Sequence, residues 1–171
     1  MTCKLPLLAL LSVALNISLM AQTPKHRAEL VRKFKACIQP TRPATLDCSE
    51  DFVTNLFDLY DHGDRSVLKP LLDAGLSSDG ALSEELGWFY SNVLSKNPRT
   101  FLVGIRSRPL KQKRQLCGMA GAVDGSGMES VILNHVRHSL RVISSRPNDP
   151  LSVAARICLM HVNRANAPNG R

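Results

Sequence analysis

SSDGALSEELGWFYSNVLSK, residues 77–96, is the segment on which the fold depends. Its apolar side chains recur every three or four residues, as they do in an α-helix that buries one broad face. The members of that face are Leu82, Leu86, Phe89, Tyr90, Val93 and Leu94. The segment therefore predicts a long core helix, with Leu86 and Phe89 inside the core.

The same helical periodicity continues on both sides of this segment, and strand-like alternation is nearly absent. Three apolar-periodic segments precede it and four follow it, and turn residues separate them. Three of the later segments carry a proline at or near their start, where a helix tolerates it best: Pro98, Pro109 and Pro150. Asp64 is a candidate N-cap, and Gly63 suits the end of the helix before it. The sequence predicts an all-α domain of about eight short helices.

Shorter and longer helices alternate at steps of roughly twenty residues, which resembles the paired-helix stacking of HEAT repeats. No repeat motif recurs in the sequence itself, so the resemblance concerns architecture only. Two arrangements fit the pattern. The alternation favours stacked helical hairpins of the HEAT type, and a compact irregular bundle is the other.

The first residues have the layout of a secretory signal peptide, because Lys4 precedes an apolar stretch and a small residue, Ala21, precedes a polar run. The apolar stretch is shorter than the ~20 residues that a bilayer span requires, which favours cleavage over an uncleaved anchor. The predicted organisation is a signal peptide at 1–21, a single all-α domain at 22–165 and a frayed tail at 166–171. We expect a secreted or periplasmic protein without a membrane span after cleavage.

Cleavage leaves four cysteines: Cys37, Cys48, Cys117 and Cys158. An even number in an exported chain is typical of disulfides. The spacing matches neither the close pairs of a zinc site nor the C-x-x-C of a redox motif. Four cysteines allow three pairings, and because short loops close most readily we favour Cys37–Cys48 with Cys117–Cys158.

Charge is distributed unevenly along a chain whose net charge is +8. Ten of the fourteen acidic residues lie between Asp47 and Glu85, where only Arg65 and Lys69 oppose them. The segments on either side are basic. The chain is therefore electrically polarised along its length.

The densest basic run is RSRPLKQKR, residues 106–114, which can contact phosphate or an anionic surface. Its candidate binding residues are Arg106, Arg108, Lys111, Lys113 and Arg114. A solvated helix face is the alternative interpretation. Aromatic residues are scarce after Phe101, so base stacking is not expected and nucleic acid is not predicted as a partner.

Two segments suggest metal ligation. Residues 123–130, VDGSGMES, alternate glycines with oxygen-bearing residues as calcium loops do, but they lack the EF-hand spacing and fit a turn that caps the next helix. His135 and His138 have a spacing that suits zinc, and further ligands would have to come from His161 or Glu129. We expect exposed histidines here, with no metal and no cofactor.

The sequence favours an exported, non-catalytic helical protein that presents a binding surface to a protein or an anionic envelope polymer. The alternative is a small secreted hydrolase that acts on a glycan or another envelope polymer through paired carboxylates. Its acids would come from Asp79, Glu84, Glu85, Asp124 and Glu129. For the two adjacent glutamates, the positive end of a helix dipole is a simpler explanation. An enzyme needs such acids to converge in a pocket, whereas a binding protein needs only a continuous exposed face.

Overall fold

The computed structural model describes residues 24–37, 50–78, 80–122 and 127–165, and every regular element in them is helical. These residues form eight α-helices and one 3₁₀ turn, Arg65–Val67, between the second and third helices. The helices are α1 (Pro24–Cys37), α2 (Glu50–Asp61), α3 (Leu68–Ala74), α4 (Gly80–Lys96), α5 (Pro98–Arg106), α6 (Leu110–Gly121), α7 (Gly127–Ser144) and α8 (Ser152–Ala165). The predicted all-α class is confirmed. The predicted signal peptide, residues 1–21, and tail, residues 166–171, lie outside the described residues.

Helix α4 is the centre of the molecule, because it packs against α5, α6 and α7. In a stack of hairpins each helix would contact only the adjacent repeats. With hairpins α3–α4, α5–α6 and α7–α8, the contact of α4 with α7 would skip a repeat. With hairpins α4–α5 and α6–α7, the contact of α5 with α8 would skip one. Of the two predicted arrangements, the bundle is therefore the one observed. Helices α6 and α8 make the most extensive contact among the described helices.

The face of α4 that the sequence predicts to be apolar is buried. Leu86 and Phe89 lie in the core as predicted, and Leu82 is half-buried at its edge. Two hydroxyl groups tie α4 to its neighbours: Tyr90 Oη donates to the Leu71 carbonyl of α3 at 2.6 Å, and Ser91 Oγ donates to the Ala120 carbonyl of α6. Burial raises the pKa of Tyr90, so its hydroxyl remains a neutral donor.

The helix ends follow the predicted turn chemistry with small shifts. Gly63 has a φ of +102° after α2, and the Asp64 carboxylate accepts from the Ser66 backbone N–H at 3.1 Å, as an N-cap does. Pro98 is the first residue of α5 as predicted. Pro109 differs, because its ψ of 150° is extended and α6 begins one residue later. Pro150 likewise precedes α8, which begins at Ser152.

A disulfide joins Cys117 of α6 to Cys158 of α8, which confirms that predicted pair. Cys37 is also disulfide-bonded, and its partner lies outside the described residues. The pairing of Cys37 with Cys48 therefore stays a prediction. None of the described helices combines the length and the apolar character that crossing a bilayer requires.

Helices α4 and α6 come close together at Gly87, where an added Cβ would lie 2.8 Å from the carbonyl oxygen of Met119. Alanine usually stabilises a helix interior relative to glycine by about 1 kcal/mol. Here the added methyl group meets backbone atoms that cannot rotate away, so we expect Gly87→Ala to lower the unfolding free energy by about 1–3 kcal/mol. Urea denaturation followed by circular dichroism measures the change.

Gly118 on α6 is the matched control, because a Cβ added there meets no atom within 4 Å. We expect Gly118→Ala to raise the unfolding free energy by about 0.5–1 kcal/mol. Stabilisation by both substitutions would show that α4 and α6 do not approach this closely.

Candidate functional site

A groove of about 570 Å³ opens between the segment formed by the 3₁₀ turn and α3 and the C-terminal half of α5. Its volume lies within the range of roughly 300–1,000 Å³ that is usual for ligand sites. Four charged side chains line it: Arg65, Lys69, Asp73 and Arg108. We call it the Arg65–Arg108 groove.

Asp73 is the carboxylate of this groove, and it bridges two of the cations. Its Oδ2 lies 3.0 Å from Lys69 Nζ, one turn earlier on α3, and its Oδ1 lies 2.7 Å from Arg108 Nη2. Burial raises the pKa of Asp73, but hydrogen bonds from Lys69 and Arg108 and the charges of both outweigh it, so the pKa lies below its usual range. Asp73 is therefore ionised at neutral pH. Three positive charges against one negative charge leave the groove at +2.

Arg65 supplies the positive charge that has no counter-ion in the described part of the chain. Its guanidinium carbon lies 4.2 Å from the centroid of the Tyr60 ring, in a cation–π contact, and its Nη1 donates to the Tyr60 carbonyl at 3.2 Å. The ion pairs among the described residues do not include it. Because a guanidinium carries five N–H donors, this contact holds Arg65 in place and leaves donors for a ligand.

Of the predicted basic run at residues 106–114, Arg108 lines the groove, and Arg106, Lys111, Lys113 and Arg114 do not. Arg106, Lys111 and Arg114 are exposed, and Lys113 is half-buried. The side chain of Arg108 is only 12% exposed, because Asp73 and the Gly104 carbonyl hold it, the latter at 3.2 Å from its Nε. Arg108 is thus the member of the run that belongs to the groove.

The charge of Arg114 acts on His161 of helix α8. Burial lowers the pKa of His161 first, and the charges of Arg164 and Arg114 lower it further. The Nε2 atom of His161 is buried and has no hydrogen-bond partner among the described residues. We therefore expect this imidazole to be neutral at physiological pH.

The sequence did not single out Arg65 and Lys69 as binding residues. The signal that could have identified them is their position, because they are the two basic residues within the acidic segment from Asp47 to Glu85. Cations that stand alone among acids are usually assigned to local ion pairs. Lys69 does form one, with Asp73, and Arg65 does not.

The acids proposed for a hydrolase are not among the residues that line this groove. Glu84 is exposed and Glu85 is half-buried, both on α4. Asp79 and Asp124 lie outside the described residues, and for Glu129 only the backbone in α7 is described. Neither this groove nor the second cavity described below is lined by any of these carboxylates.

The predicted histidine pair lies on the surface, because both His135 and His138 of α7 are exposed. Within the described ranges, no group of three or more histidine, cysteine, aspartate and glutamate side chains is placed to hold a metal ion. The glycine-rich loop at residues 123–126 lies outside those ranges.

A second cavity lies between α2 and α4, with Trp88 half exposed beside it. The Tyr60 hydroxyl near this cavity is buried and has no hydrogen-bond partner among the described residues. The cavity volume of about 30 Å³ is the share of one water molecule in the liquid. This cavity is too small for a ligand, and the Arg65–Arg108 groove remains the candidate site.

Comparison of the chain with protein-family models, curated proteins and solved structures gives no match. The case for a function therefore rests on the residues of the groove.

Proposed function

We propose that the protein is an exported, non-catalytic binding protein that takes an anionic partner in the Arg65–Arg108 groove. The partner is a protein or an anionic envelope polymer. One observation carries this proposal: three cationic side chains and a single carboxylate line one concave site, and Arg65 has no counter-ion among the described residues.

The shape of the groove favours binding of a particular anionic ligand over nonspecific electrostatic attraction. Charges in a concave site with low-dielectric walls act more strongly on a ligand than the same charges on an open surface. Val103, which is 51% exposed at the edge of the groove, adds apolar contact area. Export is supported by the signal-like residues 1–21 and by the Cys117–Cys158 disulfide, which is typical of oxidising compartments.

Removing the two groove cations Arg65 and Lys69 is the direct test, with poly-L-glutamate as the anionic probe. We expect the parent protein to bind the probe with an affinity that falls steeply as salt rises, because screening weakens such contacts. The double variant Arg65→Gln/Lys69→Gln should bind at least about tenfold more weakly, a loss equal to ~1.4 kcal/mol. Isothermal titration calorimetry at two salt concentrations measures both effects.

The matched control is Arg106→Gln/Lys111→Gln, which removes the same amount of charge from two exposed positions of the basic run. We expect this control to bind within about threefold of the parent, since mutating exposed rim charges has small effects on affinity. An equal loss in both variants would mean attraction by net charge alone, and a larger loss in the control would place the binding surface on residues 106–114. Circular dichroism verifies that each variant keeps its helices.

A further inference from the structure

We propose that Asp73 is a built-in competitor for the ligand of the groove, and that the ligand is an acidic peptide segment with at least two carboxylates. This inference rests on the function proposed above. It adds the chemical class of the ligand and identifies the residue that sets the selectivity of the groove.

Asp73 occupies the place that a ligand carboxylate would take. Each of its two oxygens contacts a different cation, Lys69 at 3.0 Å and Arg108 at 2.7 Å. The Asp73 side chain is 39% exposed, whereas that of Arg108 is only 12% exposed. Arg108 is therefore the more deeply placed partner, and a carboxylate that enters from solvent reaches it by replacing or sharing the contact with Asp73.

Apart from the pair with Lys69 one turn earlier, the position of Asp73 in α3 is unfavourable for an acidic residue. Asp73 is the last residue but one of α3, which spans Leu68–Ala74. A negative charge near the C-terminal end of a helix is unfavourable, because the aligned peptide dipoles place partial negative charge at that end. The contacts with Lys69 and Arg108 offset this cost, so the role of Asp73 lies in the groove.

A resident carboxylate makes the groove selective. A ligand with one carboxylate gains the contact with Arg65 but meets repulsion from Asp73. A ligand with a second carboxylate also displaces Asp73 from Lys69 and Arg108. Its second carboxylate then forms the ion pairs that Asp73 has lost. The groove therefore favours closely spaced carboxylates over isolated weak anions.

The lining of the groove points to a peptide as the carrier of these carboxylates. Exposed Val103 lies beside the cations, so an apolar side chain between two acidic residues has a surface to contact. The lining contains no aromatic side chain on which a nucleobase could stack.

The test compares charge variants at position 73 for binding of a fluorescein-labelled peptide, Glu-Glu-Leu-Glu-Glu, by fluorescence anisotropy. Asp73→Asn keeps the size of the side chain and removes the competing charge, so we expect about tenfold tighter binding than in the parent. Asp73→Glu keeps the charge and should stay within about threefold of the parent. The uncharged peptide Gln-Gln-Leu-Gln-Gln should bind to none of the three proteins.

Equal or weaker binding by Asp73→Asn, with a parent that binds the peptide, would overturn the inference and leave the proposed function in place. Binding of poly-L-glutamate without binding of the peptide would also overturn it, because the ligand class would be wrong. Failure of both probes with every protein would instead contradict the proposed function. Asp73→Ala carries the same expectation as Asp73→Asn, so a folding defect in one variant leaves the test intact.

Discussion

Replacing Phe89 by alanine is expected to lower the unfolding free energy by about 3–5 kcal/mol. Phe89 is 3% exposed and lies at the centre of an aromatic cluster. Its ring stacks on Phe57 with centroids 4.4 Å apart, and it meets Tyr60 edge to face at 5.3 Å. Truncation therefore removes buried apolar area and leaves a cavity between α2 and α4 that the rigid rings around it cannot fill. Urea denaturation measures the loss, and the thermal midpoint should fall by roughly 6–20 °C.

Trp88 is the matched control, because it precedes Phe89 on the same helix but is 49% exposed. Its side chain is larger, yet about half of it already contacts water. We expect Trp88→Ala to cost about 1–2 kcal/mol, which is less than the effect at Phe89. A larger effect at Trp88 than at Phe89 would mean that α4 is rotated relative to the core described above.

Removing the Cys117–Cys158 disulfide has the second large expected effect. The two cysteines are 41 residues apart in sequence and both are fully buried. In the chain-entropy description, a loop of this length contributes about 4 kcal/mol by restricting the unfolded chain. The double variant Cys117→Ala/Cys158→Ala should lose about this amount in urea denaturation under oxidising conditions.

Its control is a thiol titration of the parent protein after denaturation without reductant. We expect no free thiol from Cys117 or Cys158, because oxidising compartments maintain such pairs. Two titratable thiols at these positions, or a double variant as stable as the parent, would show that the bond does not form. Alanine is preferred to serine for the substitution, since a serine hydroxyl would be buried beside apolar side chains.

The local features of this fold follow from the sequence alone. Leu86 and Phe89 were expected in the core because they share the apolar face of one helix, and both are buried there. Asp64 was expected as a cap because its carboxylate can reach the backbone N–H groups just after it, and it contacts that of Ser66. Such features depend on residues within about one or two helical turns, whose relative positions the helix geometry determines. The start of α6 was misplaced by one residue because Pro109 fits both a cap and a first helical position.

The charge pattern was visible in the sequence, but the ion pairs that these charged residues form were not. Cations from outside the acidic segment pair with acids inside it: Arg27 with Asp64, Lys96 with Asp61 and Arg108 with Asp73. Part of the polarity along the chain is thus neutralised within one molecule. The sequence could not select these partners, because they depend on which helices pack together and on the angles at which those helices cross.

The Arg65–Arg108 groove could not be predicted from the sequence, because it forms only in the tertiary structure. Asp73 and Arg108 are 35 residues apart, and Arg65 comes from the 3₁₀ turn before α3. The sequence placed Arg108 in a basic run with its neighbours and placed Asp73 in an acidic block. Only the packing of α3 against α5 puts the two in one concave site, because side chains distant in the chain meet where the apolar faces of their helices are buried together. The amino-acid order determined the helices and their inner faces, and the way those faces fit together determined which charges remain for a partner.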